Sequence, residues 1–524
     1  MFSEKIHRYL FLFGVCSLAF GIMMGTVPTS VPQFILLGNW LIEGNFKRKW
    51  DQLRSNKLFW IIISLFLIHV IGLIYTQDIS AGINDVRIKL PLLFLPVLFF
   101  TSKPLQQKEF KILLLCFLLG SFVNSFWCLI YNFVLHTNDV VRNASRFMSH
   151  IRLGLYLNVA IAVCFYFIFE RRNNLQKFLF GILLIYFVYV LHALGLASGI
   201  VNLIIVSLAS LIVFLFKQNK YIKALSFVVI LSGAFFGFNF LNTIFSSQLT
   251  TLQTENNIPH KNGPTGNVYL NYESTTQKEN GNFVFINVQP TELKTEWQKR
   301  FPQDSFSYMP NPHNLQRYEV LLRYMASKGL YKDSLGFTKL NAIDILNIKN
   351  NVTNYLYPNW SFLHKRIYEF VWEYDEFVNE RNINGHSLTM RLYFWKAAIS
   401  LIQNNMLIGV GTGDVQSELN KTYTNTNSPL NVDWYKRPHN QFLTITVALG
   451  IIGLLVFLFS FVYPIIKLKN QLHRLFWPYF LVLCISFILE DTLETQAGLS
   501  FYAFFYTLFI SEAFFKKQQS PEGL

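Results

Sequence analysis

Charge is scarce in this chain. Asp, Glu, Lys and Arg make up 14% of its 524 residues, against about 25% in an ordinary soluble domain, and that argues against a water-soluble globule. Cysteine is scarcer still. Cys16, Cys116, Cys128, Cys164 and Cys484 all fall in apolar runs and none falls in the long polar stretch, so no disulfide framework is expected. The signatures of several enzyme classes are missing too. The polar stretch holds no His-Glu-x-x-His and no Asp-x-Asp, and its histidines His260, His313, His364 and His386 are widely separated, so no metal site is expected. No serine stands in a Gly-x-Ser-x-Gly elbow. The glycine run Gly409-Val410-Gly411-Thr412-Gly413-Asp414 follows a helical pattern rather than a strand and lacks a Walker lysine, so it reads as a helix stop and turn.

What is present is apolar: 52% of residues are hydrophobic and 17% aromatic, gathered into runs long enough to cross a bilayer, which takes about 20 residues per helix. The expected class is an all-α polytopic membrane protein with about twelve transmembrane helices: 7–27, 29–43, 57–76, 88–101, 110–135, 152–169, 177–194, 196–216, 221–243, 439–466, 475–490 and 497–515. Two runs, 29–43 and 88–101, are short and proline-flanked, so ten is the lower count. The first run is read as a retained helix, since no small-residue cleavage site follows it. Every second connection is basic: Lys5 and Arg8, then Lys47-Arg48-Lys49 with Arg54 and Lys57, then Lys103, Lys108 and Lys111. The series continues through Arg171, Arg172 and Lys177, Lys217 to Lys223, Lys467 to Arg474, and Lys516-Lys517. The positive-inside rule then puts both termini in the cytoplasm. Segment 245–437 carries 19 Lys and Arg against 17 Asp and Glu, so the net charge of +15 is a topology signal, and nucleic acid is not an expected partner.

Composition divides the chain into a membrane bundle at 1–244, a large external loop domain at 245–437 and three further spans at 438–524. Within the loop, about 249–315 reads as turns with a short alternating stretch, Phe283 to Val288. From 315 to 383 the pattern is helical, and Tyr318, Tyr324, Phe362, Tyr368, Phe370 and Trp372 fit packing residues better than a sugar-binding surface. Segment 387–408 repeats Leu388, Leu392, Trp395, Ile399 and Ile402 at helical spacing, but Gln403-Asn404-Asn405 makes it too polar to span. It is expected to lie at the interface.

Several residues could carry chemistry there. Arg391 and Trp395 are one turn apart, so the guanidinium can rest on the indole and still present its fork to a phosphate. Taken alone, a snorkelling anchor fits Arg391 better. Pro438 suits the first position of a helix, with His439 in its first turn and Asn440 beside it. The positive helix end and Arg437 would then favour a neutral ring able to accept a proton, although a lone interfacial histidine is more often structural. Gly450 and Gly453 would let a neighbouring helix approach behind it. Glu490, Asp491 and Glu494 crowd a membrane boundary, where they could orient arginines or the histidine, act as a base, or form an ordinary solvated loop. Arg142, Arg146, His150 and Arg152 depart from positive-inside, and an anionic substrate or headgroup is their natural partner.

His439-Asn440, nine residues, then Gly450-x-x-Gly453, preceded by Arg391-x-x-x-Trp395 and the 409–413 glycine run, resembles the O-antigen ligase and O-antigen polymerase superfamily. Glu490-Asp491-Thr492-Leu493-Glu494-x-Gln496-x-Gly498 and Ser149-His150-Ile151-Arg152 are similar to its Bacteroidetes-type members. The motifs cover 387–500, and the span pattern covers the whole chain. The resemblance implies a C-type glycosyltransferase-like architecture with one large periplasmic loop domain, embedded as a multi-pass protein in the bacterial inner membrane with a periplasmic active site. It implies an inverting transfer of glycan, without metal or cofactor, from an undecaprenyl diphosphate carrier to an acceptor hydroxyl. Lipid A core is the favoured acceptor; a growing polymer or a protein would make the enzyme a polymerase or an oligosaccharyltransferase. Membrane lipids are the other implied partner. Arg391 and His439 would be catalytic. Arg152, Arg146, Arg437, Trp395 and His150 would bind the diphosphate and glycan, with Glu490, Asp491, Glu494 and Asn440 orienting them. A second family arginine usually follows a serine near 198. Here Ala197-Ser198-Gly199 has none, so Arg146, Arg152 or Arg437 would supply that contact. A flippase for lipid-linked oligosaccharide, with charges deep in its spans and internal pseudo-symmetry, is the rival from another class.

Overall fold

The computed structural model describes residues 3–135, 145–170, 173–215, 220–249, 252, 254–263, 265–272, 277–302, 317–379 and 384–519. Arg142, Arg171, Arg172, Lys217 and His313 lie outside them. The helices in chain order are α1 Glu4–Gly21, α2 Thr26–Glu43, α3 Phe46–Arg54, α4 Lys57–Ile71, α5 Ile79–Lys89, α6 Pro91–Thr101, α7 Gln107–Ile130, α8 His150–Glu170, α9 Asn174–Ala193 and α10 Ala197–Leu215. They continue as α11 Lys220–Leu249, α12 Pro290–Arg300, α13 Arg317–Ser327, α14 Ser334–Thr338, α15 Ala342–Lys349, α16 Phe362–Val378, α17 Ser387–Asn404, α18 Val415–Asn425, α19 Gln441–Leu468, α20 Phe476–Leu489 and α21 Gln496–Gln518. A helix stands at each of the twelve expected spans. Among the described residues, six of them are long and apolar enough to cross a membrane, or seven if the pair α3 and α4, bent by 91°, counts as one span. The protein is a multi-pass, helical membrane protein.

Local chemistry sets several boundaries. The run 88–101 does not form one helix, because Pro91 opens α6 and ends α5 just before it. Asn56 caps α4 by accepting from Leu58 and Phe59 N–H, and Asp78 caps α5 by accepting from Ala81 N–H.

The chain divides into two compact units. One comprises 1–217 and 391–524, the other 218–390. In the first, α21 is the central helix, buried along nearly its whole length and packed on α6, α19 and α2. Its tyrosines need hydroxyl partners in so apolar a setting. Tyr506 donates to the carbonyls of Ser460 and Phe461 at 3.0 and 2.7 Å, and Tyr479 of α20 donates to Tyr502 O at 2.9 Å. α8 packs on α9, α10 and α20, with Tyr156 stacked on Phe501 at 3.9 Å.

The second unit has its own core around Trp297, Leu321, Tyr324, Met325 and Ile348. Of the alternating stretch only Phe283 lies in a strand, in a two-residue hairpin of Lys278–Glu279 against Asn282–Phe283, and Val288 makes isolated bridges to Leu270 and Lys332. Asn280 (φ 48°) and Gly281 (φ 78°) turn the hairpin, the left-handed pair that a tight hairpin requires. Glu279 is fully buried against Arg323 at 2.6 Å and accepts from Tyr368 and Asn354. Tyr324 and Tyr368 are therefore core residues, as their spacing suggested, whereas Phe370 is 41% exposed.

Candidate active site

α19 starts later than the proline suggested. Asn440 is its N-cap, accepting from Leu443 N–H at 3.1 Å, and the helix runs from Gln441. His439 therefore precedes the helix rather than lying in its first turn, and its φ of 49° is left-handed. Asn outcompetes Pro for the terminus because its side chain satisfies an orphan amide. The buried carboxylate of Asp491 holds the unusual backbone. It accepts from the N–H of His439 at 3.1 Å, the N–H of Asn440 at 3.0 Å and the Thr444 hydroxyl at 2.6 Å. Burial pushes the Asp491 carboxyl above its ordinary value, against the pull of His439, Thr444 and Arg437. From the other side, Trp395 of α17 donates its indole N–H to Pro438 O at 2.9 Å. The chain before His439 is thus pinned by α17 and by the 490–494 segment.

Beyond α20, two arginines and a histidine converge on Glu490. Arg391 stands 3.6 Å from one carboxylate oxygen, and Arg152 and His439 Nδ1 stand 3.9 and 3.8 Å from the other. None of these contacts is a close hydrogen bond. Arg152 Nε and His439 Nδ1 are buried without a hydrogen-bond partner from the protein, a costly condition for polar groups. Burial alone would raise the Glu490 carboxyl, but His439, Arg152 and Arg391 more than offset it and leave it below its usual value. Glu490 is therefore ionised at neutral pH, facing Arg391, Arg152 and His439 across gaps of 3.6 to 3.9 Å. Arg152 arrives from the first turn of α8, where Ser149 accepts its backbone N–H at 3.3 Å. The Phe394 ring lies 5.9 Å from the imidazole.

Four residues on, Glu494 has a different environment. Lys89 of α5 donates to it at 2.8 Å, Arg437 at 2.9 Å and Gln441 at 3.1 Å. Lys89 also pairs with Asp85 at 2.7 Å, and Arg437 stands 3.9 Å from Asp85. Burial opposes ionisation of Glu494, but Lys89 and Arg437 hold its carboxyl well below the ordinary range.

The glycine run is a helix stop and loop, and it explains the kink behind the site. Gly450 breaks α19 with φ 64° and ψ −165°. The loop from Met406 to Gly411 enters the gap: Val410 and Gly411 N–H donate to Val447 and Ala448 O at 2.9 Å, and Ile451 N–H donates to Met406 O at 2.8 Å. A side chain on Gly409 would meet the Ala448–Leu449 backbone at 2.5 Å, and one on Gly450 would meet Leu407 at 2.2 Å. The expected close approach behind the histidine is real, but a loop makes it rather than a helix. Asp414 closes the loop by accepting from Gln77 and Asp78 N–H at 2.7 and 2.9 Å.

Residues 351–458 match the O-antigen ligase family. This match supports an O-antigen ligase superfamily relationship for the chain. The match covers about a fifth of it, including Arg391, Trp395, Arg437, His439 and both α19 glycines. No curated protein matches the chain. Of the residues singled out by sequence, the structure gathers Arg391, His439, Arg152 and Glu490 around one point, with Asp491, Asn440 and Trp395 positioning the histidine. Arg437 and Glu494 pair with each other, and exposed Arg146 stands before α8, which His150 opens. Sequence reasoning missed Lys89, Asp85, Gln441 and Thr444. The i,i+4 spacing of Asp85 and Lys89, at the edge of an apolar run, was the signal available.

Proposed function

We propose that the chain is an O-antigen ligase-like glycosyltransferase acting on a glycan carried by undecaprenyl diphosphate at the periplasmic face of the inner membrane. The observation that carries this reading is the convergence of Arg152, Arg391 and His439 on Glu490 at 3.6 to 3.9 Å, with two buried nitrogens left unpaired. Such an arrangement suits a diphosphate that enters beside the histidine and draws the two arginines closer. Arg152 takes the part of the arginine absent after Ser198.

In the reaction, the acceptor hydroxyl attacks the anomeric carbon and the bond from that carbon to the diphosphate oxygen breaks with inversion. The electron pair leaves on the diphosphate, where Arg391 and Arg152 stabilise the growing charge. The hydroxyl proton passes to His439. A carboxylate on the Nδ1 side favours the tautomer with Nδ1–H, which leaves Nε2 to accept it. Lipid A core is the favoured acceptor.

A reconstituted transfer assay with lipid-linked glycan tests the mechanism. Arg391→Ala and His439→Ala are each expected to lower turnover by about 10²–10³-fold at normal expression; unaffected turnover in either removes it. The glycan profile of a deletion strain tests the acceptor. Loss of long-chain lipopolysaccharide with accumulation of carrier-linked polymer supports ligation, single-repeat caps support polymerisation, and loss of glycoprotein alone supports protein transfer.

A further inference from the structure

The short helix α3 is built unlike any neighbour. It is too charged for hydrocarbon: within and beside it stand Lys47, Arg48, Lys49, Arg54 and Lys57 against the acids Glu43 and Asp51. It also meets α4 at 91°. α4 and its continuation to Tyr75 are apolar, so where α4 crosses a bilayer, α3 lies along the surface.

That attitude is fixed by a clip. Lys49 is the cation of α3 turned inward: its ammonium donates to Trp40 O at 2.7 Å, pairs with Glu43 at 2.7 Å and sits 4.5 Å from the Trp40 ring centroid. Leu53 is buried beside it, and the Asn56 cap locks the start of α4. With Lys49 and Leu53 facing the protein, the next face round the helix carries Phe46 and Trp50, one turn apart and 52% and 53% exposed. Trp50 meets Trp60 of α4 edge-on at 6.3 Å, and Trp60 is itself 40% exposed. Exposed Lys47 and Arg54 follow the aromatic face. Lys47 and Arg48 line an open groove of about 670 Å³ with Asn45, Gln52, Ser55 and Asp51.

Apolar rings continuous with a span, flanked by exposed cations, one of them Arg48 at 3.9 Å from Glu43, and by amide or hydroxyl donors, match the boundary between acyl chains and phosphate. We propose that α3 is a preformed binding site for the headgroups of anionic phospholipids, with Phe46 and Trp50 seated among the acyl chains and Lys47, Arg48 and Arg54 paired with phosphate. This surface is independent of the transfer site.

The test uses the full chain in phosphatidylcholine vesicles containing equal mole fractions of either brominated phosphatidylglycerol or brominated phosphatidylcholine. Trp50 fluorescence is read as the difference between the wild type and Trp50→Phe. The anionic lipid is expected to quench it about twofold more than the zwitterionic one, and 1 M salt is expected to remove the excess. Lys47→Gln/Arg48→Gln/Arg54→Gln is expected to remove it at low salt. Equal quenching by the two lipids, no quenching by either, or an excess that survives both salt and the triple variant overturns the proposal. The salt arm needs no altered cation, so a poorly folding triple variant leaves the proposal open to refutation.

Discussion

Glu490 and Glu494 lie four residues apart, both nearly buried and both faced by cations, and the difference between them is distance. Around Glu494, Lys89 and Arg437 close to 2.8 and 2.9 Å and Gln441 takes the second oxygen. Around Glu490, Arg391, Arg152 and His439 stop at 3.6 to 3.9 Å, and two of their nitrogens have no partner. The first cluster satisfies itself and ties α5, the 492–494 turn and the chain before α19 into one scaffold. The second holds charge apart. Under the proposed mechanism, incomplete pairing rather than proximity of opposite charges sets the transfer site apart from its scaffold.

The largest effect expected from this contrast is on stability. Glu494→Ala strands Lys89 and Arg437 in a buried setting and should destabilise the protein by about 3–5 kcal/mol. Glu490→Ala should cost less than Glu494→Ala, because its ion pairs are looser, while lowering transfer about tenfold through lost orientation. Thermal unfolding in detergent reads the first quantity, and equal midpoints for the two variants would break the comparison. The pH dependence sharpens it. The depressed Glu494 carboxyl contributes stability above the ordinary carboxylate range and loses it only as pH falls through its lower folded value.

Asp491 has the opposite sign. Its raised value means that stability is fully present below the ordinary carboxylate range and is lost as pH rises through the folded value. Asp491→Asn should abolish that step in the melting profile. It should also lower transfer about tenfold, since two backbone amides then share a weaker acceptor. A step that persists unchanged assigns it to another group.

Much of the membrane architecture was legible because it depends on composition: apolar runs locate helices whatever their partners. The cluster at Glu490 was legible as a set of boundary charges, since Arg152, Arg391 and Glu490 each stand where charge is costly. How the members pair was not. Arg437 lies near His439 in sequence yet turns to Glu494, in a cluster completed by Asp85 and Lys89 from a helix some 350 residues earlier in the chain. The late start of α19 was hidden for a similar reason. Local preference favours Pro438 at the first turn, but Asp491 captures the amides of His439 and Asn440 and holds the histidine at positive φ. Gly450 was legible as a place of close approach, while the identity of the approaching segment depends on a loop that a helical pattern does not announce.

The smallest expected effect concerns the boundary between scaffold and site. Trp395 belongs to the same helix as Arg391, yet its indole N–H is spent on Pro438 O, just before His439. Trp395→Phe keeps an aromatic ring and removes only that donor, so it should cost about 1 kcal/mol of stability. Transfer should fall about fivefold, through a lower kcat with the donor KM unchanged, because the histidine loses placement while the arginines keep theirs. A raised KM instead would mean that Trp395 meets the donor itself and belongs with the incompletely paired groups around Glu490.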